Sequence, residues 1–217
     1  MSKSISVVLD FECLGVAENG NADSVVISCG LVAFPSDITW NDIKNKYNEY
    51  LDKSKYIKFS IKEQMPGNRF DRTVDPDTLA WWKSQDISVK KELAPSKEDE
   101  QLNVGVNQII KYIKDNGGTP KTTKIYCKGQ HFDIPLLASI SYAVGVSVQQ
   151  QIAKYWNMRD LRTAMDELIG QTDLKLSADI ESSFLKHNAK HDVCHSMFEL
   201  IAARALAVGD IEPIDLA

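Results

Sequence analysis

The first third of the chain contains two long apolar segments rich in β-branched residues, and these restrict the fold more than any other feature. Residues Ser4 to Phe11 and Ser24 to Phe34 each predict a buried strand, and Pro35 ends the second. Tyr47 to Leu51 predicts a third strand. Three strands in close succession, with no helical pattern between them, indicate an antiparallel start to a sheet.

From Pro76 onward, helical patterns alternate with short strands. Asp75 predicts an N-cap, with Pro76 at the first helical position. The predicted elements, in chain order, are helices at Asp77 to Ser84 and from Ser96 to Gly117, a strand at Lys124 to Lys128, a helix from Asp133 to Gly145, a strand at Tyr155 to Met158, and helices at Asp160 to Leu168 and Lys190 to Ala207.

This order predicts a single α/β domain over residues 1–217, built on a mixed five-stranded sheet whose first three strands are antiparallel and whose faces carry helices. The longest connection, Asp52 to Thr73, is polar and predicts a mobile substrate loop. Its basic residues either contact phosphates or simply face solvent, and these are Lys58, Lys62, Arg69 and Arg72.

The composition is that of a globular protein, with 43% hydrophobic and 25% charged residues, which excludes a disordered chain. No apolar run approaches the roughly 18 residues of a membrane helix, and the first residues do not form a signal-peptide pattern. The 4 cysteines stand far apart, which favours reduced thiols and a cytoplasmic protein. A net charge of −5 is unusual for a protein that grips duplex DNA, but it is compatible with an enzyme whose acids hold metal ions.

Two carboxylates mark the end of the first predicted strand. Asp10 and Glu12 are two residues apart and therefore point to the same face. Burial and mutual repulsion would penalise both charges unless cations lay between them, and hard oxygen ligands at this density suit Mg²⁺ or Mn²⁺. Taken alone, the pair fits two solvated acids at a strand end somewhat better.

Three further side chains fit the same site. Asp133 follows a strand directly and stands at the opening of a helix, where an ordinary N-cap explains it as well. His187 precedes the last predicted helix and Asp192 falls in its first turns, so both can face one cleft if the loop folds over the sheet edge. A polar helix start with exposed histidines is the simpler alternative for this segment.

The order and context of these residues resemble the DEDDh (DnaQ-like) 3′–5′ exonucleases, which have an RNase H-like fold. The motifs that carry the resemblance span nearly the whole chain and are Asp10-Phe-Glu12, Gly129-Gln-His-Phe-Asp133 and His187-Asn-Ala-Lys-His-Asp192. The segments Thr78-Leu-Ala-Trp-Trp and Trp156-Asn-Met-Arg-Asp-Leu-Arg162 are similar to the phage DexA-type exonucleases and the related bacterial exoribonuclease-like proteins. One departure is Lys128-Gly129, where relatives often carry Asn-Gly.

The resemblance implies a metal-dependent 3′–5′ exonuclease that releases nucleoside 5′-monophosphates from the 3′ end of single-stranded nucleic acid. The carboxylates of Asp10, Glu12, Asp133 and Asp192 would hold two Mg²⁺ or Mn²⁺ ions, and His187 would accept a proton from the attacking water. The phage-like segments favour single-stranded DNA, with short RNA as the alternative substrate. No pattern indicates a membrane partner or an oligomeric state.

Two other functions compete with this one. The adjacent His191-Asp192 pair is typical of HD-type phosphohydrolases, but these are all-helical and the first third of this chain is rich in predicted strands. A non-catalytic RNase H-like module that binds nucleic acid is the second alternative, and the presence of all the acids and the histidine argues against it.

Several other polar and aromatic residues near these motifs are predicted to have structural roles or to face solvent. Trp81 and Trp82 are adjacent and cannot both face the core from one helix, so one is predicted to pack and the other to be half exposed, where a base could stack on it. Asp160 is predicted as an N-cap and not as a metal ligand. His191 and His195 continue the four-residue spacing from His187, but exposed helix histidines are predicted instead of a zinc site.

Overall fold

The strands of the computed structural model, which describes residues 4–15 and 22–212, form a five-stranded sheet in the order β3-β2-β1-β4-β5. Its strands are β1 (Ile5–Cys13), β2 (Val26–Pro35), β3 (Lys55–Lys58), β4 (Lys124–Cys127) and β5 (Met158–Asp160). The strand β2 is antiparallel to both β1 and β3, whereas β4 runs parallel to both β1 and β5. The predicted mixed sheet with an antiparallel first half is therefore confirmed.

Helices cover both faces of the sheet. They are α1 (Trp40–Ile43), α2 (Tyr47–Lys53), α3 (Ile61–Gln64), α4 (Pro76–Ser84), α5 (Ile87–Lys90), α6 (Leu102–Asp115), α7 (Gln130–Ala143), α8 (Val148–Gln151), α9 (Leu161–Ile169), α10 (Ala178–Ser183) and α11 (Ala189–Ala207). Along β1, Val7 and Leu9 pack with α6 and α7, while Val8 packs with α11 on the opposite face. A strand buried on both faces requires a nearly continuous apolar sequence, which explains the pattern of the first segment.

The prediction of a strand at Tyr47 to Leu51 is wrong, because these residues form α2 and the third strand lies a few residues later. Tyr47 and Tyr50 are three residues apart on one helical face and both pack against Phe198 of α11, with ring centroids 5.2 and 6.1 Å away. The five residues from Tyr47 to Leu51 are too few for the sequence pattern to distinguish a helix from a strand.

The prediction of a mobile loop at Asp52 to Thr73 is also wrong, since this segment contains β3 and α3. The buried side-chain amide of Gln64 exchanges two hydrogen bonds of 2.9 Å with the backbone of Val26. Arg72 is 3% exposed and donates to the carbonyls of Ser24 and Ala22. Its charge therefore holds the backbone of its own fold and does not face a substrate.

Three predicted boundaries also need correction. The segment from Ser96 to Asp99 forms a turn in which Asp99 accepts from the amide of Ser96, and α6 begins only at Leu102. Tyr155 to Asn157 forms a 3₁₀ turn, so that β5 starts at Met158. The helix predicted to open at Asp133 already begins at Gln130.

All four cysteines, Cys13, Cys29, Cys127 and Cys194, are buried and free. Burial raises the pKa of the Cys13 and Cys194 thiols to about 12 and raises those of Cys29 and Cys127 as well. None of the described helices has the length and apolar character needed to cross a membrane.

Candidate active site

Three carboxylates cluster beside the C-terminal half of β1. Asp10 and Glu12 project from this central strand, Asp192 projects from the first turn of α11, and ligand oxygens of the three lie within 4.8 Å of one another. The two-residue spacing on a strand therefore put both acids on one face, as predicted.

A glycine allows α11 to start close enough to complete this cluster. Gly30 of β2 is the direct partner of Asp10 in the sheet, and a Cβ atom at this position would lie 2.0 Å from the carbonyl oxygen of Ala189. Because no other residue would fit, the first turn of α11 passes directly over β2 and carries Asp192 to the acids of β1.

Asp133 lies beside the three carboxylates but is held differently. It is 2% exposed, and its Oδ1 accepts a 3.1 Å hydrogen bond from the amide of Phe11, the residue between Asp10 and Glu12. Asp133 is not an N-cap, since Gly129 occupies that position and Asp133 belongs to the first turn of α7. The helix thereby fixes the backbone of β1 between Asp10 and Glu12.

Burial and mutual repulsion make the ionised cluster unfavourable without a cation. Burial, followed by the charges of Asp192 and Asp133, raises the pKa of Glu12 to about 8, and burial raises the pKa of Asp133 and that of Asp192 to about 7. Burial and the charges of the other three carboxylates raise the pKa of Asp10, whereas the ammonium of Lys128 lowers it. Buried oxygen donors that repel one another fit hard divalent ions.

His187 lies just before α11, in a left-handed backbone conformation with φ 61°. Asn188 follows it as the N-cap of α11. The imidazole packs perpendicular to the ring of Trp81, with centroids 4.9 Å apart, and makes no hydrogen bond to the four carboxylates. Partial burial, together with Lys186, lowers the pKa of His187, so the ring is a neutral base at pH 7.

An aromatic cavity of about 400 Å³ opens next to Glu12. Phe11, Trp81, Trp82 and Phe132 line it. Trp82 is buried and donates to the carbonyl of Cys13 at 3.0 Å, whereas Trp81 is 40% exposed. One tryptophan packs and the other is half exposed, as predicted.

The prediction that His195 is an exposed histidine is wrong. His195 is 8% exposed, with Nε2 3.1 Å from Glu181 and Nδ1 3.4 Å from Glu199. Glu199 also forms a 2.8 Å ion pair with Lys128, which in turn pairs with Asp173 at 2.9 Å. Burial disfavours the charged imidazole, but the two glutamates outweigh it and raise the pKa of His195.

His191 is also used internally. Its Nδ1 accepts from the amide of Leu185 at 3.4 Å, and its side chain is partly buried. The histidines of α11 therefore hold residues 181–185 of the preceding chain segment against the helix, and they do not form a zinc site. The four-residue spacing of His191, His195 and Glu199 along α11 is the sequence signal for this role, in place of the exposed histidines that were predicted.

Asp160 is the N-cap of α9, as predicted. Its Oδ1 accepts from the amide of Thr163 at 2.7 Å, and its Oδ2 accepts from the amide of Gln130 at 3.1 Å. Asp160 thus joins the first turns of α7 and α9 beside the carboxylate cluster.

Comparison with known proteins places this geometry in a family. A family model described as the 3′–5′ exoribonuclease Rv2179c-like domain matches residues 5–200. The exodeoxyribonuclease of Enterobacteria phage T4 is 26% identical over 215 residues, which cover 93% of this chain and 90% of the phage protein.

Solved structures of E. coli exonuclease I share the fold. The zinc-bound complex with single-stranded DNA has a TM-score of 0.57 at 12% identity over 98% of this chain, and the complex with a dA16 oligonucleotide has 0.57 at 13%. This chain spans 42% of the length of those chains. The shared sheet also excludes the all-helical HD-type alternative.

The family match runs from the first residue of β1 into α11 and includes all four carboxylates and His187. The chain therefore belongs to the Rv2179c-like family of 3′–5′ exoribonuclease domains, within the DnaQ-like 3′–5′ exonuclease superfamily.

Proposed function

We propose that this protein is a metal-dependent 3′–5′ exonuclease that releases nucleoside 5′-monophosphates from the 3′ end of a single strand. The observation that carries this proposal is the convergence of Asp10, Glu12 and Asp192 within 4.8 Å, with Asp133 buried beside them. The family of the chain supports the direction of hydrolysis.

Asp10, Glu12, Asp133 and Asp192 would hold two Mg²⁺ or Mn²⁺ ions, because their oxygens form a partly buried, hard and mutually repelling donor set. When bound, such ions stabilise the charge that develops on the attacking and leaving oxygens at phosphorus. The hydrogen bond from Phe11 to Asp133 keeps the two acids of β1 in fixed relative positions.

His187 would act as the general base by accepting a proton from the attacking water on a ring nitrogen. Its lowered pKa keeps the ring unprotonated at pH 7, and its contact with Trp81 restricts its orientation. General-base catalysis contributes roughly 10²–10⁴-fold, so His187→Ala is expected to lose a factor in that range.

The base of the terminal nucleotide would lie in the aromatic cavity beside Glu12, where Trp81 offers an exposed ring. We propose single-stranded DNA as the preferred substrate, which the phage exodeoxyribonuclease and the DNA complexes of exonuclease I favour. Short RNA is the second candidate, favoured by the description of the family. Side-by-side digestion of matched DNA and RNA oligomers distinguishes the two.

The central experiment measures release of mononucleotides from a 3′-labelled single strand in Mg²⁺ and in EDTA. Wild-type protein is expected to release mononucleotides only with the metal, and Asp10→Ala should release none. Asp37→Asn is the matched control, since Asp37 is exposed and follows β2 at the opposite end of β1. Full activity of Asp10→Ala would refute the assignment, and binding without any release would favour the non-catalytic module.

A further inference from the structure

A second cavity, of about 610 Å³, lies on the other side of Asp133 from the aromatic cavity. The first turn of α7 separates the two, because Phe132 lines the aromatic cavity and His131 lines the second one. Lys128, Arg162 and Thr163 complete its polar wall. In contrast to the aromatic cavity, this one is lined by side chains that can donate hydrogen bonds.

Arg162 gives this cavity a positive charge that acts on Asp133, Asp160 and Asp173 without forming an ion pair with any described carboxylate. One guanidinium nitrogen donates to the carbonyl of Lys128, and within residues 4–15 and 22–212 no acidic oxygen lies within ion-pair distance of it. The ammonium of Lys128, by comparison, is already paired with Glu199 and Asp173. Arg162 is exposed, so its remaining donors face the cavity and the solvent.

Among the described residues of the cavity wall, Asp160 is the one carboxylate, and its oxygens are engaged by the protein backbone. Both oxygens of Asp160 accept backbone hydrogen bonds, one from Thr163 and one from Gln130. These bonds offset its negative charge locally, and the first turn of the 14-residue α7 adds the positive end of a helix dipole. The wall is therefore suited to an anion.

The adjacent carboxylate cluster indicates which anion this is. Lys128 lines the cavity, and its charge also acts on Asp10 and Asp192. The cavity is therefore adjacent to the carboxylate cluster. A single strand whose terminal phosphodiester lies at the cluster must place its next phosphate on one side of it. The aromatic side suits a base, whereas the Arg162 side offers a guanidinium that forms no ion pair with a described carboxylate.

We propose that Arg162 binds the phosphodiester immediately 5′ of the scissile one, in the cavity between the first turns of α7 and α9. This proposal rests on the proposed exonuclease function and adds the direction in which the strand leaves the site. Arg162 is then a residue that positions the substrate and selects for a charged backbone.

The test uses three short single-stranded DNA oligomers that differ in one linkage. The first is all phosphodiester, the second has an uncharged methylphosphonate at the penultimate 3′ linkage, and the third has it several linkages further 5′. Initial rates of release of the first nucleotide in Mg²⁺ are measured for wild type, Arg162→Gln and Arg159→Gln. Arg159 is the matched control, because its guanidinium donates to the backbone carbonyls of Trp156 and Met158 at the start of β5.

Arg162→Gln is expected to lower kcat/KM on the all-phosphodiester oligomer by about tenfold or more, chiefly through KM, as for loss of a charge-assisted hydrogen bond. Wild type should lose a similar factor on the penultimate methylphosphonate and nothing on the distant one. The variant should lose no further activity on either, and its salt dependence should fall by about 0.7 in log–log slope, the value for one phosphate on a single strand. Arg162→Lys, which keeps the charge, should recover part of the loss.

Two results would overturn the proposal. One is wild-type protein that ignores the penultimate methylphosphonate, an outcome that does not depend on how any variant folds. The other concerns Arg162→Gln assayed on the oligomer with the penultimate methylphosphonate. If the loss from the substitution and the loss from the neutral linkage multiply there, the two groups act independently, which groups in direct contact do not. Failure of the exonuclease function itself looks different, since wild type would then release no nucleotide from any oligomer.

Discussion

Asp10 lies partly buried among three other carboxylates, so its negative charge opposes folding although the proposed metal site requires it. Burial and the neighbouring acids raise its pKa, which means that the folded state loses stability as pH rises and these groups ionise. In metal-free buffer, Asp10→Asn is therefore expected to melt a few degrees higher than wild type. It should also show a shallower fall of melting temperature with pH, as measured by circular dichroism.

The metal dependence of the same variant should be the reverse. Mg²⁺ or Mn²⁺ binds the folded state and should raise the melting temperature of wild type, whereas Asp10→Asn should gain little. The control is Asp37→Asn, which should respond to the metal as wild type does. A metal-free Asp10→Asn that melts below wild type would show that the acid is held by interactions other than those described.

The adjacent tryptophans Trp81 and Trp82 should respond differently to the same substitution. Trp82 is buried and donates to the carbonyl of Cys13, so Trp82→Ala is expected to cost about 3–5 kcal/mol of unfolding free energy. Trp81 is half exposed, so Trp81→Ala should leave stability nearly unchanged and raise KM by roughly ten- to a hundredfold through lost base stacking. Denaturant unfolding and steady-state kinetics on both variants check this, and equal KM values for Trp81→Ala and wild type would remove the tryptophan from the substrate site.

At the scale of elements, the site depends on how closely α11 approaches β2. A methyl group at Gly30 would meet the backbone of Ala189, which cannot move without moving the start of the helix. Gly30→Ala is therefore expected to lower both the melting temperature and the metal response, because Asp192 would be displaced from Asp10 and Glu12. Ser28→Ala, on the same face of β2, is the control and should be close to wild type in both assays.

The ion network along α11 predicts a pH dependence of stability. The pKa of His195 is raised in the folded state by Glu199 and Glu181, so its contribution is fully present below its unfolded pKa of about 6.5 and is lost as pH rises through the higher folded value. His195→Gln should remove this part of the decline, as measured by melting temperature against pH. The carboxylate cluster contributes to the decline in both proteins, so the difference between the two curves isolates His195, and parallel curves would contradict the prediction.

At the scale of the whole molecule, the elements with strong local signals were predicted and those determined by packing were not. The strands β1 and β2 are continuous apolar runs, and Asp75 before Pro76 is a cap that needs no tertiary contact; it accepts from the amide of Thr78 at 2.8 Å. The helix α2, by contrast, is determined by where Phe198 lies, 148 residues after Tyr50 in the chain.

The candidate site shows the same division. The two-residue spacing of Asp10 and Glu12 predicted their common face, and the structure brings them together with Asp192. The burial of Arg72 could not be predicted, since its partner Ser24 is distant in sequence, whereas the four-residue spacing of His195 and Glu199 did offer a signal for their pairing. Gly30 appeared in the sequence only as a glycine within a strand, and its role depends on a helix more than 150 residues later.

The reactivity of the buried thiols can be used to measure unfolding of the sheet. Cys29 and Cys127 lie on β2 and β4, the two neighbours of β1, and their raised pKa values leave almost no thiolate in the folded state. An alkylating reagent should therefore modify them only in molecules whose central strands have separated. Because the acids lie on the strand between them, a cation bound there would slow that labelling, which provides a way to detect metal binding without any substrate.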